Sequence, residues 1–245
     1  MADGLMLIHA FPLDARMWEP QLSAFAQGFP VAAPHLPGFG GSPSAGDTMT
    51  MAAAAVRCLE ELDRAGVDRA VVCGLSMGGY VALELWRRAP ERFAGVVLAN
   101  TRAAADSEEG AAARRSLADR LRAEGSAFFV ESPPPLLSDE APGELRSLVR
   151  RLIAEQTPEA IAAGAAGMAE RPDSTGDLAG IDVPALVVTS SKDTLIPPEV
   201  TSEMASQIPG AKLAGIEGVG HLSNLEAPDE FNRLLAQHLE RSGLP

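Results

Sequence analysis

The first candidate for chemistry in this 245-residue chain is a serine flanked by glycines two positions away on each side. Ser76 lies in the pentapeptide GLSMG at 74–78, between an apolar run over 70–73 and a helix-like segment over 79–89. A tight strand-to-helix turn of this kind admits no large side chains around it and pushes the serine hydroxyl out above a sheet. The pattern therefore predicts that Ser76 is a nucleophile.

A serine hydroxyl is a poor nucleophile near neutral pH, so it needs a general base. Of the four histidines, His221 is the candidate, because it lies in a glycine-rich loop just after the last strand-like run. His238 has polar neighbours in the C-terminal helical segment, so we expect a solvated surface residue there. His9 ends the first strand-like run, and we expect it to support its loop.

The base in turn needs a carboxylate to orient it. Asp193 directly follows the apolar run over 185–189, so it would leave the carboxyl end of a strand. Asp177 and Asp182 precede that run and would lie at the opposite edge of a parallel sheet. The resulting chain order of serine, aspartate and histidine is the order expected for this type of serine turn.

An oxyanion that develops during acyl transfer needs backbone N–H donors. The N–H of Met77 follows the serine at a helix N-terminus. The loop after the first strand supplies the second candidate, and Phe11 is preferred over Pro12 because proline has no N–H. We therefore predict Phe11 and Met77 as the oxyanion donors. For the walls of the substrate pocket the candidates are Phe11, Trp18, Met77, Phe128 and Phe129.

Short apolar runs alternate with longer helical segments along the chain. Strands are predicted at 5–9, 30–34, 70–74, 95–99, 185–189 and 212–216. Helices are predicted at 18–25, 50–65, 77–89, 198–207 and 229–241. Because the apolar runs are nearly continuous rather than alternating, the strands should be buried on both faces of a parallel sheet. The predicted fold class is α/β.

One region interrupts this alternation. From 101 to 176 we find no strand pattern, and apolar residues over 145–153 repeat at helical spacing. We therefore predict a core domain formed by residues 1–100 and 177–245, with a helical cap inserted at 101–176. A cap in this position would cover the carboxyl ends of the strands, where open α/β sheets bind ligands.

The composition excludes several classes of partner. The 33 acidic and 20 basic residues give a net charge of −13, which argues against a nucleic acid or an anionic membrane as partner. No window approaches 18 consecutive apolar residues, and residues 1–4 lack the features of a signal peptide, so we expect a cytoplasmic protein. Cys58 and Cys73 are expected to be buried free thiols. Nothing in the sequence suggests a metal or an organic cofactor, and the oligomeric state stays open.

Together these motifs resemble the α/β-hydrolase superfamily over essentially the whole chain. The matching segments are HAFP at 9–12, LPGFGGS at 36–42, GLSMGG at 74–79, Asp193 with the prolines at 197 and 198, and GH at 220–221. Within the superfamily, DARMWEPQL at 14–22 and GLSMGG are similar to the 3-oxoadipate enol-lactonase group and to small carboxylesterases. The Ser-Met pair is shared with cofactor-free haloperoxidases. The resemblance implies an α/β-hydrolase fold, trimmed to about six parallel strands because the family's first two strands are missing.

The hypothesis that follows is a serine carboxylesterase acting on small carboxylic esters or lactones. Ser76 would form an acyl-enzyme, His221 would transfer the proton, Asp193 would orient the imidazole, and water would release the acid. An enol-lactonase, a C–C bond hydrolase and a cofactor-free perhydrolase or haloperoxidase would use the same residues and stay open as alternatives. A protein of this fold that binds a ligand without catalysis is the alternative from another class.

Overall fold

The computed structural model describes residues 2–244, and six strands form one sheet within that range. The strands are β1 (Ala2–Ile8), β2 (Val31–Ala32), β3 (Val67–Leu75), β4 (Phe93–Ala99), β5 (Ala185–Ser190) and β6 (Lys212–Ile216). Their order is β2-β1-β3-β4-β5-β6, and every neighbouring pair is parallel. The prediction of an α/β fold with about six parallel strands is confirmed.

Ten α-helices accompany the sheet in residues 2–244. They are α1 (Glu19–Phe25), α2 (Met51–Arg64), α3 (Met77–Arg88), α4 (Glu108–Glu124), α5 (Ala127–Glu131), α6 (Gly143–Ala154), α7 (Pro158–Ala169), α8 (Pro198–Ser206), α9 (Ser223–Glu226) and α10 (Pro228–Arg241). Three of the longer helices begin at a hydroxyl residue whose side chain accepts a hydrogen bond from the first turn: Thr50 before α2, Ser107 before α4 and Thr157 before α7. Such caps satisfy backbone N–H groups that have no partner within the helix.

The central strands are buried on both faces. All seven residues of β4 are buried, as are the last six of β3 and all of β5. Continuous Val, Leu and Ala runs form these strands because helices cover a parallel sheet on both sides. The outermost strand, β6, is largely exposed and ends in the buried Ile216.

The sheet has its topological switch point between β1 and β3. The chain passes from β1 to β2 on one side and then returns to place β3 on the other side of β1. Connections that leave two adjacent strands in opposite directions open a crevice at the carboxyl ends of those strands, where α/β sheets bind ligands. The residues that follow β1 and β3 therefore face a common crevice.

The segment between β4 and β5 is helical. It contains α4 to α7 and a 3-10 helix over Thr175–Gly180, with no strand among its residues, and α4 packs against α7. The division into a core of 1–100 and 177–245 and a cap of 101–176 stays a prediction. None of the helices in the described residues is long and apolar enough to cross a membrane.

Candidate active site

Ser76 occupies a sharp turn between β3 and α3. Its backbone dihedrals are φ 56° and ψ −116°, a conformation that side-chain-bearing residues rarely adopt. Residues at the end of β4 and just after it hold this turn. The Ser76 N–H donates to the carbonyl of Ala99, the last residue of β4, at 2.9 Å. The hydroxyl of Thr101 donates to the carbonyl of Ser76 at 2.8 Å. The strained conformation is thus fixed by the neighbouring strand.

Two glycines of the pentapeptide are required by close approach of the backbone. A Cβ atom at Gly74 would collide with the carbonyl of Gly78, inside the turn itself. A Cβ atom at Gly78 would collide with the carbonyl of Ile8, the last residue of β1. Because of this second contact, the start of α3 lies directly against the end of β1, and the two loops meet at the switch point.

The carboxylate of Asp193 lies in the loop after β5 and is fully buried. Its Oδ1 accepts hydrogen bonds from the backbone N–H groups of Leu195 at 2.9 Å and Ile196 at 3.0 Å. Its Oδ2 accepts from the side-chain amide of Asn100 at 2.9 Å and lies 2.8 Å from Nδ1 of His221. Four donors therefore hold this carboxylate in one orientation.

Those donors also determine the charge of Asp193. Burial alone would raise the pKa of its carboxyl group, but the hydrogen bond and the charge of His221 lower it, as do the N–H of Ile196 and the amide of Asn100. The net result is a pKa below the usual range for aspartate. The carboxylate is therefore ionised near neutral pH.

His221 follows β6 and is almost fully buried. An ionised carboxylate can only accept a hydrogen bond, so the bond to Asp193 Oδ2 assigns the ring proton of His221 to Nδ1. In this tautomer Nε2 carries no proton and can accept one. His221 and Ser76 line the same cavity, although no hydrogen bond joins their side chains within residues 2–244. Such contacts are often long in ligand-free sites and shorten when a substrate binds.

The cavity that contains both side chains has a volume of about 250 Å³ and is mostly apolar. Phe11, Phe129 and Met168 contribute apolar walls. Arg102 and Arg114 contribute the charged part of the lining. A small, largely apolar cavity with a few polar groups is typical of a site for a small molecule.

Three predicted pocket walls lie elsewhere. Trp18 is fully buried in the core, where its ring packs on Phe231 with centroids 5.8 Å apart, so it is not part of the cavity lining. Phe128 also lies outside the lining, under the guanidinium of Arg120 at 3.7 Å. The side chain of Met77 is buried and does not line the cavity. These three assignments are corrected.

The backbone N–H groups of Phe11 and Met77 lack hydrogen-bond partners in residues 2–244. Met77 is the first residue of α3, where N–H groups have no partner inside the helix. Phe11 lies in the loop after β1, which meets the start of α3 at the switch point.

The other histidines have structural surroundings. His9 is fully buried, with Nδ1 near the Ala10 carbonyl and Nε2 accepting from the N–H of Leu36 at 3.0 Å, in line with its predicted supporting role. The prediction of a solvated His238 is wrong, because this side chain is 2% exposed. Burial and the positive charge of Arg241 lower the pKa of His238 to about 4, although nearby backbone carbonyls favour the protonated ring.

Residues after β4 contribute to the site and were not predicted from the sequence. Asn100 is fully buried, donates to Ser190 Oγ and Asp193 Oδ2 at 2.9 Å each, and accepts from Ser223 Oγ at 2.7 Å. It therefore connects the loop of the aspartate to the helix that follows His221. The sequence could have indicated Asn100 as a site residue, because it directly follows an apolar run, as Asp193 does.

Solved structures with the same fold include two enzymes with substantial sequence identity. A thermophilic esterase from Thermogutta terrifontis, in a malate-bound structure, has a TM-score of 0.93 and 37% identity, covering 99% of this chain and 90% of that one. The enol-lactonase from Burkholderia xenovorans LB400 has a TM-score of 0.89 and 27% identity, covering 98% and 92%. Both likenesses extend over nearly the whole of each chain.

Curated relatives match over a similar extent. The pimeloyl-[acyl-carrier protein] methyl ester esterase of Aromatoleum aromaticum is 31% identical over 92% of this chain and 94% of its own length. The 3-oxoadipate enol-lactonase 1 of Acinetobacter baylyi is 28% identical over 96% and 88%. The family model described as "Alpha/beta hydrolase family" matches residues 5–234. The strand order, the serine turn at the switch point and these matches agree that the chain belongs to the alpha/beta hydrolase family.

Proposed function

We propose that this chain is a carboxylic ester hydrolase that works through an acyl-enzyme on Ser76. His221 Nε2 takes the proton of the serine hydroxyl as Oγ attacks the ester carbonyl, and it then gives that proton to the departing alcohol. Water then attacks the carbonyl of the acyl-enzyme while His221 Nε2 takes its proton. The acid is released, and the proton returns to Ser76 Oγ. Asp193 holds the imidazole in the tautomer with Nε2 unprotonated and stabilises the imidazolium that forms.

The observation that carries this proposal is the contact between His221 Nδ1 and Asp193 Oδ2 at 2.8 Å, beside a cavity that Ser76 also lines. The depressed pKa of Asp193 supports its role, because an ionised carboxylate is needed to stabilise an imidazolium. The free N–H groups of Phe11 and Met77 are suitable donors for the developing oxyanion. These observations support the proposed roles of Ser76, Asp193 and His221.

The named activities of the relatives favour ester bonds as substrates. An esterase, a methyl ester esterase and two enol-lactonases are among the similar proteins, and each name denotes cleavage of an ester or a lactone. A lactonase is the second candidate for this chain, because a lactone is an internal ester that the same residues would open. C–C bond hydrolysis and perhydrolysis stay as alternatives with the same mechanism and a different substrate.

The proposal is tested by hydrolysis of p-nitrophenyl butyrate with the wild type and the Ser76→Ala variant. We expect kcat to fall by about 10⁴-fold or more, since the nucleophile acts as a unit with its base. The exposed Ser147, on α6, gives the matched control, and Ser147→Ala should retain wild-type kcat. Retention of most activity by Ser76→Ala would contradict the mechanism.

A fluorophosphonate probe separates catalysis from simple ligand binding. The probe forms a covalent bond with an activated serine, so mass spectrometry should find one adduct on Ser76 and none in Ser76→Ala. A protein that binds ligands without catalysis would remain unlabelled. Comparing kcat/KM for a γ-lactone and for its open-chain ester then distinguishes a lactonase from an esterase.

A further inference from the structure

The cavity around Ser76 carries positive charge in a protein whose net charge is −13. Two arginines, Arg102 and Arg114, are among the residues that line it, and no aspartate or glutamate of residues 2–244 is. A cavity with low-dielectric walls concentrates the field of the charges that line it. The sign of this lining is therefore opposite to that of the protein as a whole and favours an anionic ligand.

Arg114 is already paired with a carboxylate within the protein. Its Nε donates to Asp106 Oδ2 at 2.5 Å, and the same carboxylate forms an ion pair with Arg171 at 2.9 Å. The ionic hydrogen bonds of these arginines hold the pKa of Asp106 below its usual range, although burial alone would raise it. Arg114 is thus held at the wall as part of a structural ion-pair cluster.

Arg102 differs because it has no carboxylate partner in residues 2–244. Its one hydrogen bond within that range runs from Nη2 to the carbonyl of Leu195 at 3.2 Å. Its Nε is buried and has no hydrogen-bond partner there. A buried N–H of a charged group without an acceptor costs free energy, and such groups are rare in folded proteins. Its Nη1 also makes no hydrogen bond in residues 2–244 and is not buried, so the terminal nitrogens of the guanidinium are the donors that a ligand in the cavity can reach.

The chemistry of the guanidinium defines that ligand. It is always charged and presents a planar set of donors that matches a carboxylate in a bidentate arrangement. We propose that Arg102 binds a carboxylate carried by the ester substrate, so that the enzyme prefers anionic esters to neutral ones. The proposal rests on the ester hydrolase function and adds a charged substrate class to it.

The position of Arg102 fits this role. It follows Asn100 and Thr101, whose side chains contact the Asp193 carboxylate and the Ser76 carbonyl. Its own hydrogen bond reaches Leu195, whose N–H donates to Asp193. Arg102 lines one cavity together with Ser76 and His221, so a carboxylate bound to it there would hold the substrate's ester in the same cavity as both side chains.

The test compares each anionic ester with a neutral ester of the same shape. For a charge on the acyl side, the anionic mono-p-nitrophenyl glutarate is compared with the neutral p-nitrophenyl ester of glutaramic acid. For a charge on the alcohol side, the anionic carboxymethyl butyrate is compared with the neutral carbamoylmethyl butyrate. We expect kcat/KM of the wild type to favour the anionic member of at least one pair by about 10- to 100-fold.

Three variants assign the preference to Arg102. Arg102→Gln should bring the anionic-to-neutral ratio of kcat/KM close to one, and Arg102→Lys should restore part of it. Arg115→Gln is the matched control with the same charge change, because Arg115 is exposed and does not line this cavity. Its ratio should equal that of the wild type. The ratio is the readout because a general disturbance of the Leu195 loop would lower both rates together.

A wild-type ratio within about threefold of one for both pairs would overturn the proposal. So would a strong preference that survives in Arg102→Gln, since Arg102 would then only brace the loop. A binding measurement does not depend on hydrolysis: calorimetric titration with glutarate should give a Kd about 10-fold or more weaker for Arg102→Gln than for wild type. If no ester is cleaved, the ester hydrolase function fails, and this titration still decides whether Arg102 binds a carboxylate.

Discussion

Replacing Asn100 by aspartate would place a second carboxylate against Asp193. The Asn100 amide nitrogen lies 2.9 Å from Asp193 Oδ2, and both side chains are fully buried. Asn100 has a φ of +46°, and aspartate tolerates this left-handed conformation about as well as asparagine does. The substitution therefore changes charge and hydrogen bonding with little change in shape.

The expected effect follows from the distance. Two unit charges 2.9 Å apart repel by about 6 kcal/mol at an effective dielectric of about 20, which corresponds to about four pKa units. Two carboxylates this close cannot both ionise, so one carboxyl of the pair keeps its proton at neutral pH. The folded pKa of the pair then lies well above the unfolded value of about 3.9 for aspartate.

This raised pKa determines how the stability of the variant depends on pH. Between the unfolded and folded pKa values the folded state holds one proton that the unfolded state has lost, so stability falls as pH rises. Relative to the wild type, Asn100→Asp should lose about 2.7 kcal/mol of unfolding free energy between pH 5 and pH 7. At pH 5 the protonated carboxyl can replace the amide as donor to Asp193.

Urea unfolding at pH 5, 6 and 7, followed by circular dichroism, measures this difference. The matched control is the double variant Asn100→Asp with Asp193→Asn, which exchanges the two side chains and leaves one carboxylate at the contact. Its unfolding free energy should lack the added pH dependence. A difference between Asn100→Asp and wild type that stays constant within about 0.5 kcal/mol across this pH range would refute the reasoning.

Two further predictions concern stability. Burial lowers the pKa of both His9 and His238 to about 4, so the unfolded chain binds protons between about pH 6.5 and 4 that the folded chain does not. Each histidine should lower the free energy of unfolding by up to about 3 kcal/mol as pH falls through this window. In urea unfolding, the free energy of His238→Leu should therefore change less with pH than that of the wild type. In Gly78→Ala the added Cβ meets the carbonyl of Ile8, so thermal unfolding should reveal a loss of about 1–3 kcal/mol. A Cβ at Gly143 meets open space, so Gly143→Ala should leave the free energy of unfolding nearly unchanged. Equal losses of unfolding free energy in the two variants would contradict the close approach of Gly78 to Ile8.

The sheet could be predicted because its signal is local. Each strand is a short apolar run. The structure extends four of these runs, shortens the second to two residues and leaves the last unchanged, without adding a strand in residues 2–244. Parallel strands bring their carboxyl ends to one edge, so Ser76, Asp193 and His221 could be grouped from their positions after three such runs. The Asp193–His221 contact follows from that topology.

Side-chain surroundings were harder to predict because they depend on which face of an element is covered. His238 has polar neighbours, yet its spacing of seven residues from Phe231 places it on the buried stripe of α10 with Leu235. Trp18 was a candidate pocket wall, but its ring packs on Phe231 in the core. Contact between α1 and α10 depends on distant parts of the chain, which local patterns do not reveal.

The geometry of the site depends on a segment that contains none of the three proposed catalytic residues. Ser76 and Asn100 are the non-glycine residues with positive φ in the described chain, and they lie at the ends of adjacent strands. Such conformations cost about 1–3 kcal/mol each and persist where surrounding contacts fix them. Ala99, Asn100 and Thr101 supply those contacts, holding the Ser76 turn through its N–H and carbonyl and Asp193 through its Oδ2. Because one short connection contacts both the proposed nucleophile and the proposed carboxylate, a shift of the β4 end would displace both together.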